Sequence, residues 1–351
     1  MSYISKPAAR HPLQKTNALG YSARDYEGGL STLCAGCGHD SVTAALILAF
    51  FELNIEPHRV AKLSGIGCSS KTPAYFLNAS HGLNAVHGRM PSVATGANAA
   101  SRDLYYIGVS GDGDSLSIGM GQFAHALRRN MNMLYVIENN GVYGLTKGQF
   151  SASADLGSTS KKGEANQWEP IDPVLTATAL GATFVARSFS GDKEQLVPLI
   201  KAALSHKGFA LLDVISPCVT FNDHQGSTKS YRYTRDYFHE VVHTDFVPPA
   251  QEIKTSMAPG QARQVRLHDG SEVILRKIQD EYDTADRIAA MSYIQERQAE
   301  GEVVTGLLFL DPDSREYHDT NGSISTPLRD IPFEDLCPGN QALDDLQKAF
   351  A

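Results

Sequence analysis

Cys34 and Cys37 stand three positions apart in STLCAGCGHDS (31–41), just ahead of a segment with a helical apolar stripe. Two thiols at that spacing can grip a metal ion or a metal cluster. The chain has five cysteines, and the others are single: Cys68 in GIGCSSK, Cys218 in SPCVTFND and Cys337 near the end. Three readings apply to the first four. A structural zinc site usually draws two close pairs from small hairpins. An iron–sulfur cluster takes four thiolates, which suits a close pair plus two distant singles better. Unliganded buried thiols are the third reading, and Cys337 is assigned to it. The N-terminus of a helix predicted over 40–53 would face the thiolates, where its dipole favours negative charge.

A second group is built from oxygen. Asp112 lies in GDGDS, and Asn139 and Asn140 lie in ENNGVYG, with Asn140 placed 28 positions after Asp112. That is the length of one strand–helix–strand step. A carboxylate with an amide oxygen suits Mg²⁺, which prefers hard oxygens and is often shared with phosphates. Glycines 111 and 113 would let the backbone approach a phosphate closely. The helix after the loop would offer its unpaired N–H groups to the same anion. The alternative is two unrelated tight turns.

These residues need elements to position them. Strands are predicted at 59–65, 104–110, 133–138, 182–188 and 209–216, alternating with helices at 40–53, 91–101, 118–130, 172–181 and 193–207. Short apolar strands between helices imply an α/β fold, a mostly parallel sheet with helices on both faces. The loops GIGCSSK, GDGDS, NNGVYG and PCVTFNDH each follow a strand. In an open parallel sheet ligands bind outside the carboxyl ends of the strands. Cys68, Asp112, Asn140 and Cys218 are therefore expected along one edge.

The chain has 351 residues, 42% apolar and 20% charged, with net charge −8. That composition is ordinary for a globular protein, and the acidic balance argues against a nucleic acid as main partner. No apolar run reaches the ~18 residues a membrane helix needs. The segment MSYISKPAARHPLQKTN lacks the apolar core of a signal peptide, so the expected compartment is the cytoplasm, where disulfides are rare. Residues 1–30 read as an N-terminal arm and 31–230 as the main domain. Residues 231–351 read as an extension wrapping the core or a partner. Its opening is aromatic and basic, RQVRLHDGSEVILRKI reads as a hairpin around Asp-Gly, and its end is acidic.

GDGDS followed by NNGVYGLTKGQ resembles the thiamine diphosphate motif. By that resemblance Asp112, Asn140 and the carbonyl of Val142 would bind Mg²⁺, with Gly113 and Asp114 at the diphosphate. Together with CAGCGHDSV, GIGCSSK, HGRMPSVATGAN, ENNGVYGLTKGQFSAS and SPCVTFND, the motif resembles the β subunits of the 2-oxoacid:ferredoxin oxidoreductases over about 30–235. FNDHQGSTKSYRYTRD and the long tail are most similar to members using 2-oxoglutarate. The resemblance implies a thiamine-diphosphate-binding fold and one [4Fe-4S] cluster on Cys34, Cys37, Cys68 and Cys218. Ile66, Gly67, Cys68, Ser69, His87, Gly144, Leu145, Thr146, Lys147, Gly148 and Gln149 would lie around thiamine diphosphate. It also implies oxidative decarboxylation of a 2-oxoacid with CoA, electrons passing to ferredoxin, and an α subunit carrying the pyrimidine-binding domain in an (αβ)₂ assembly. Pyruvate or a branched-chain 2-oxoacid is the nearest alternative substrate. A non-redox thiamine enzyme with structural zinc, and an electron-transfer or assembly subunit, are the more distant ones.

Two lysines are candidates for direct roles. Lys147, in the cofactor loop, would pair with a substrate carboxylate such as the distal one of 2-oxoglutarate. Lys71, three after Cys68, would steady a carboxylate or a cluster charge. Each has a solvated surface lysine as its alternative. His87 is a candidate donor to the diphosphate. His39 reads as a helix-start residue and His125 as structural, and Trp168 has no assigned role.

Overall fold

The apolar runs of the chain meet in one ten-stranded sheet in the computed structural model, which describes residues 13–160, 162–247, 262–266, 272–277 and 282–350. Its parallel part is built from β1 (Val60–Ser64), β2 (His81–Asn84), β3 (Tyr105–Gly111) and β4 (Met133–Asn139). After a small ribbon of β5 (Val142–Tyr143) and β6 (Gln149–Phe150) come β7 (Phe184–Phe189) and β8 (Phe209–Ile215). The order is β2-β1-β3-β4-β8-β7, every pair parallel. Every residue of β1, β4, β7 and β8 is buried. Such strands read as continuous apolar runs because helices cover both faces.

The helices are α1 (Gly38–Glu52), α2 (Met90–Ala100), α3 (Met120–Arg128), α4 (Pro173–Ala179) and α5 (Lys193–Ser205). Asp172 caps α4 by accepting from Val174 N and Leu175 N, and Asp192 caps α5 by accepting from Gln195 N. Pro91 sits in the first turn of α2, where its missing N–H costs nothing. α1 starts two residues earlier than the apolar stripe suggests, with Cys37 as its N-cap. α1 packs on α5 and α2 on α3.

The last third does more than wrap. After α6 (Tyr231–Asp236), β9 (Phe238–Val247), β10 (Ala262–Arg266) and β11 (Glu272–Lys277), helix α7 (Arg287–Ala299) leads into β12 (Val303–Leu310). β12 is buried along its length and pairs antiparallel with β7, so it lies inside the same sheet. β9 follows beside β12, then β11 and β10. β10 and β11 pair as the hairpin read from the sequence, while its Asp-Gly turn lies outside the described residues. The run VVTGLLFL was not read as a strand, and neither was the short, exposed β2. Residues 13–30 are irregular yet pinned: Tyr26 is fully buried edge-on to Phe51, and Gly28 N donates to Tyr75 O. Among the described residues no helix is long and apolar enough to cross a membrane.

These pairings make a prediction about the boundary at 230. A chain ending at Ser230 would lose β12 and leave β7 as an open apolar edge, a template for aggregation. Expression of residues 1–230 should give insoluble protein. A soluble, cooperatively folded fragment would instead make 231–351 a dispensable appendage.

Candidate functional site

The four strand-end loops do converge. One cavity is lined by Ile66, Gly67, Cys68 and Ser69 after β1, by Gly111 to Asp114 after β3, and by Asn140 and Val142 to Thr146 after β4, with His39 and His87. Of the residues placed around the cofactor from sequence, Lys147, Gly148 and Gln149 stand outside this lining. Thr146 and Gln149 staple their own turn, Oγ1 donating to Oε1 at 2.6 Å and Nε2 to the Thr146 carbonyl at 2.9 Å. Lys147 is exposed, with φ +79, in the left-handed region. Lys71 Nζ lies 3.4 Å from Thr32 Oγ1 and acts electrostatically on Cys68, which puts it by the thiols.

Asp112 is buried; three donors fall on Oδ2, and the Asn140 N–H also hydrogen-bonds the carboxyl. Oδ2 accepts from Ser153 Oγ at 2.5 Å, from Gly141 N at 3.1 Å and from Ser151 Oγ. Burial pushes this carboxyl above its usual range, opposed by the two serines. A buried carboxylate oriented by these donors fits a cation. Asn140 adds Oδ1, which also accepts from Val142 N at 3.1 Å, and Gly141 turns the chain at φ +71. Asn139 faces inward, accepting from Ser153 Oγ at 2.8 Å and donating to Asp213 Oδ1 at 3.1 Å. Asp213 in turn accepts from Arg187 Nε at 2.7 Å, and Arg187 also reaches Asp172 at 2.7 Å.

The Asp114 side chain is engaged within the chain. Oδ1 accepts from Gly88 N at 2.7 Å and from Ile66 N at 3.3 Å, and it lies 2.5 Å from His87 Nδ1. Oδ2 accepts from Ser110 Oγ at 2.6 Å. The carboxylate is thus a strut tying the loops after β1 and β2 to β3, and an anionic phosphate has reason to avoid it. Gly113 is small for a neighbouring ring: a Cβ there would overlap Tyr143. The helical turn Gly113–Ile118 follows Asp112 at once, and the first N–H groups of such a turn lack helical partners.

The thiols gather beside this cavity. Cys34 is exposed and Cys37, Cys68 and Cys218 are half-buried. A Cβ on Gly144 would sit 3.4 Å from Cys68 Sγ and 3.7 Å from Cys218 Sγ, so both sulfurs face one residue of the cofactor loop. The C-x-x-C turn closes by Cys37 N donating to Cys34 O at 3.0 Å, and Gly38 N donates to Pro217 O at 3.3 Å. Burial pushes the Cys37 thiol up to about 12 and raises Cys68 and Cys218, each further raised by neighbouring cysteines. Against this, the N–H of His39 faces Cys37, and those of Thr220, Phe221 and Asn222 face Cys218. Backbone donors aimed at sulfur fit thiolate ligands, as in an iron–sulfur site. A single zinc needs its ligand atoms near 2.3 Å from one point (about that distance for sulfur). Among the described residues no three His, Cys, Asp or Glu are grouped closely enough to hold a metal ion, which bears on a cluster as much as on zinc. Cys337 is exposed in the tail.

Glu138 went unweighed in the sequence, and His39 was read as a helix-start residue. Glu138, fully buried, accepts from Thr72 Oγ1 at 3.0 Å on both oxygens and lies 3.6 Å from His39 Nδ1. Burial raises its carboxyl well above the usual range. His39 sits in the first turn of α1 and also lines the cavity, with Nδ1 2.6 Å from Ser216 Oγ and Nε2 3.5 Å from Asn140 Nδ2. Burial lowers its pKa to about 4, so the ring is neutral near pH 7. Ser151 and Ser153 were legible only as part of QFSAS, with nothing to show that they turn to Asp112.

Comparison with known proteins agrees with this geometry. Residues 65–214 match the family of the thiamine pyrophosphate enzyme, C-terminal TPP binding domain. The chain is 42% identical over 205 residues to a 2-oxoacid:ferredoxin oxidoreductase subunit beta of Saccharolobus solfataricus, covering 58% of this chain and 67% of that one. It is 39% identical over 189 residues to the 2-oxoglutarate synthase subunit KorB of Methanocaldococcus jannaschii, covering 54% and 69%. A solved 2-oxoglutarate:ferredoxin oxidoreductase from Magnetococcus marinus, with 2-oxoglutarate, coenzyme A and succinyl-CoA bound, superposes with TM-score 0.70 at 31% identity. That likeness covers 89% of this chain and 90% of the other.

The donor set of Asp112 can be tested directly. Ser153→Ala removes the hydroxyl whose single proton is shared between Asp112 Oδ2 and Asn139 Oδ1. Thiamine diphosphate with Mg²⁺ should bind roughly tenfold more weakly, about 1–2 kcal/mol for a lost buried hydrogen bond. Calorimetry on the complex with its α partner reads this, and unchanged affinity would remove the serine from the site.

Proposed function

The chain belongs to the β subunits of the 2-oxoacid:ferredoxin oxidoreductases, and we propose that it serves one acting on 2-oxoglutarate. In this reading 2-oxoglutarate and CoA become succinyl-CoA and CO₂, while two electrons leave singly through a [4Fe-4S] cluster to ferredoxin. The observation that carries it is Gly144. This residue of the cofactor loop abuts the sulfurs of both Cys68 and Cys218, so the two sites share a wall.

Thiamine diphosphate, when bound, stabilises the negative charge left as a 2-oxoacid loses CO₂. The chain's own residues would do the rest of the holding. Asp112 Oδ1, Asn140 Oδ1 and the Val142 carbonyl would ligate Mg²⁺. The backbone of Gly113 and of Ile66 to Ser69 would meet the diphosphate, with Asp114 fixing the loops rather than touching phosphate. Gly144, Leu145 and Thr146 would separate cofactor from cluster, and Cys34, Cys37, Cys68 and Cys218 would hold the cluster. Exposed Lys147, outside the cavity lining, is free to meet the distal carboxylate of 2-oxoglutarate at the mouth. The choice of 2-oxoglutarate is supported by the ligands of the Magnetococcus marinus enzyme and the name of the Methanocaldococcus jannaschii relative. A β subunit implies an α partner, and we place the assembly in the cytoplasm.

Anaerobically purified αβ complex should hold about four iron and four sulfide per β chain. Cys218→Ser should lower that iron content and end ferredoxin reduction. About one zinc without sulfide would leave a non-redox thiamine enzyme. Lys147→Ala should raise KM for 2-oxoglutarate severalfold and leave kcat nearly unchanged. An unchanged KM rejects Lys147 as the substrate's partner.

A further inference from the structure

We infer that Asn222 and His39 are positioning residues that couple the two centres: each holds the metal ligand Asn140 with its side chain and a cluster cysteine with its main-chain N–H. The inference rests on the cofactor and cluster reading above and adds that filling one centre alters the other.

Asn222 belongs to SPCVTFND, four residues after Cys218. Its buried side chain donates from Nδ2 to the Asn140 carbonyl at 2.7 Å. Its own N–H donates to the Cys218 carbonyl at 2.9 Å and also faces the Cys218 thiol. Gly141 makes room for this arm. A Cβ there would stand 2.7 Å from Asn222 Nδ2, at a φ of +71. Beside it, Phe221 fills the space next to Gly148 of the cofactor loop, where a Cβ would come within 2.9 Å of the ring. The loop after β8 therefore holds the metal motif on one side and a thiol on the other.

His39, from the C-x-x-C segment, makes the second arm. Its N–H faces the Cys37 thiol. Its ring Nε2 lies 3.5 Å from Asn140 Nδ2, and an amide NH₂ can only donate, so Nε2 is the acceptor. Nδ1 then carries the proton and gives it to Ser216 Oγ at 2.6 Å. The amide is thereby turned with Oδ1 away from the ring, where it accepts from Val142 N at 3.1 Å. Asn140 is gripped at its carbonyl and at its amide, and each grip ends on a different cysteine. Both arms are buried, where hydrogen bonds are stronger than in water. With a cation on Asn140 both arms would be fixed, and both N–H groups would be held on sulfur. Hydrogen bonds to sulfur help set a cluster's potential, and donors there favour the more negative, reduced state. Coupling of this kind acts equally in both directions.

The test uses the αβ complex, purified without oxygen and reduced with dithionite, which adds one electron to each cluster and transfers no atom. Thiamine diphosphate with Mg²⁺ should bind the reduced complex about fivefold more tightly than the oxidised one, read by calorimetry. The midpoint potential of the cluster, followed by electron paramagnetic resonance, should rise when they are bound. Asn222→Leu, which keeps the volume and loses the donor, should retain parental iron and lose most of both effects. Equal affinity in the two redox states of the unmutated complex would overturn the proposal. So would an Asn222→Leu complex with parental iron and the full difference, because the coupling would then run through space and not through the arms. If Asn222→Leu holds less iron, His39→Leu opens the other arm and is judged on the same two readouts. An unmutated complex that lacks iron, or binds no thiamine diphosphate, would instead mark failure of the functional reading.

Discussion

A carboxylate buried at the end of β3 is the constraint on which the site depends. Taking Asp112 out of water is unfavourable unless its charge is answered, and the fold answers half of it. Ser151, Ser153 and Gly141 N–H all approach Oδ2. Asn139 links Ser153 to Asp213, and Asp213 to Arg187. The polar chain runs from the core of the sheet to the metal motif, so the aspartate is oriented before any ligand arrives. In the proposed reading a divalent ion on this carboxylate would offset the desolvation that remains.

The same economy joins the two candidate centres. His39 belongs to the C-x-x-C segment by sequence and to the Asn140 side by contact, and it touches Ser216, two residues before Cys218. Glu138 sits behind it on β4, bound to Thr72 of the turn that begins at Cys68. His39, whose ring is neutral near pH 7, and Glu138, whose carboxyl burial pushes up, fill that space. Gly38 has no alternative here, because a Cβ would press on Ser216 Oγ at 2.5 Å and Ser190 Oγ at 2.8 Å. Close packing of the start of α1 against Ser216, just past β8, is what brings the cysteine pair to the sheet edge.

Much of this was legible in the sequence where local pattern and chemistry coincide. The buried parallel strands announce themselves as short apolar runs, and the spacing of Asp112 and Asn140 matches one crossover. The grouping of loops at one edge then follows from topology. What stayed hidden depends on contacts distant in the chain. Asp114 reads as part of a phosphate motif, but only the fold shows Gly88 and Ile66 spending its oxygens. VVTGLLFL is as apolar as any core strand, yet it follows a helix in a segment without motifs. Its partner β7 lies more than a hundred residues earlier. Gly306, at φ +97 and against the Val242 carbonyl, further disguises the strand, since glycine within a strand is normally a weakness.

The commitments of these side chains also bear on why a second subunit is needed. The titratable groups lining the cavity besides Cys68 and Tyr143 are His39, His87, Asp112 and Asp114. His39 is held by Ser216 beside Asn140, Asp114 is a strut and His87 leans on it, and Asp112 is turned to three donors. Each is fixed by the architecture of the loops, and moving a proton from any of them would loosen what it holds. In the proposed reading the acid–base group that activates the cofactor is therefore best supplied from outside the chain. Division of labour follows in that reading: this subunit would fix phosphate, metal and cluster, and the α partner would bring the group that must change its protonation state.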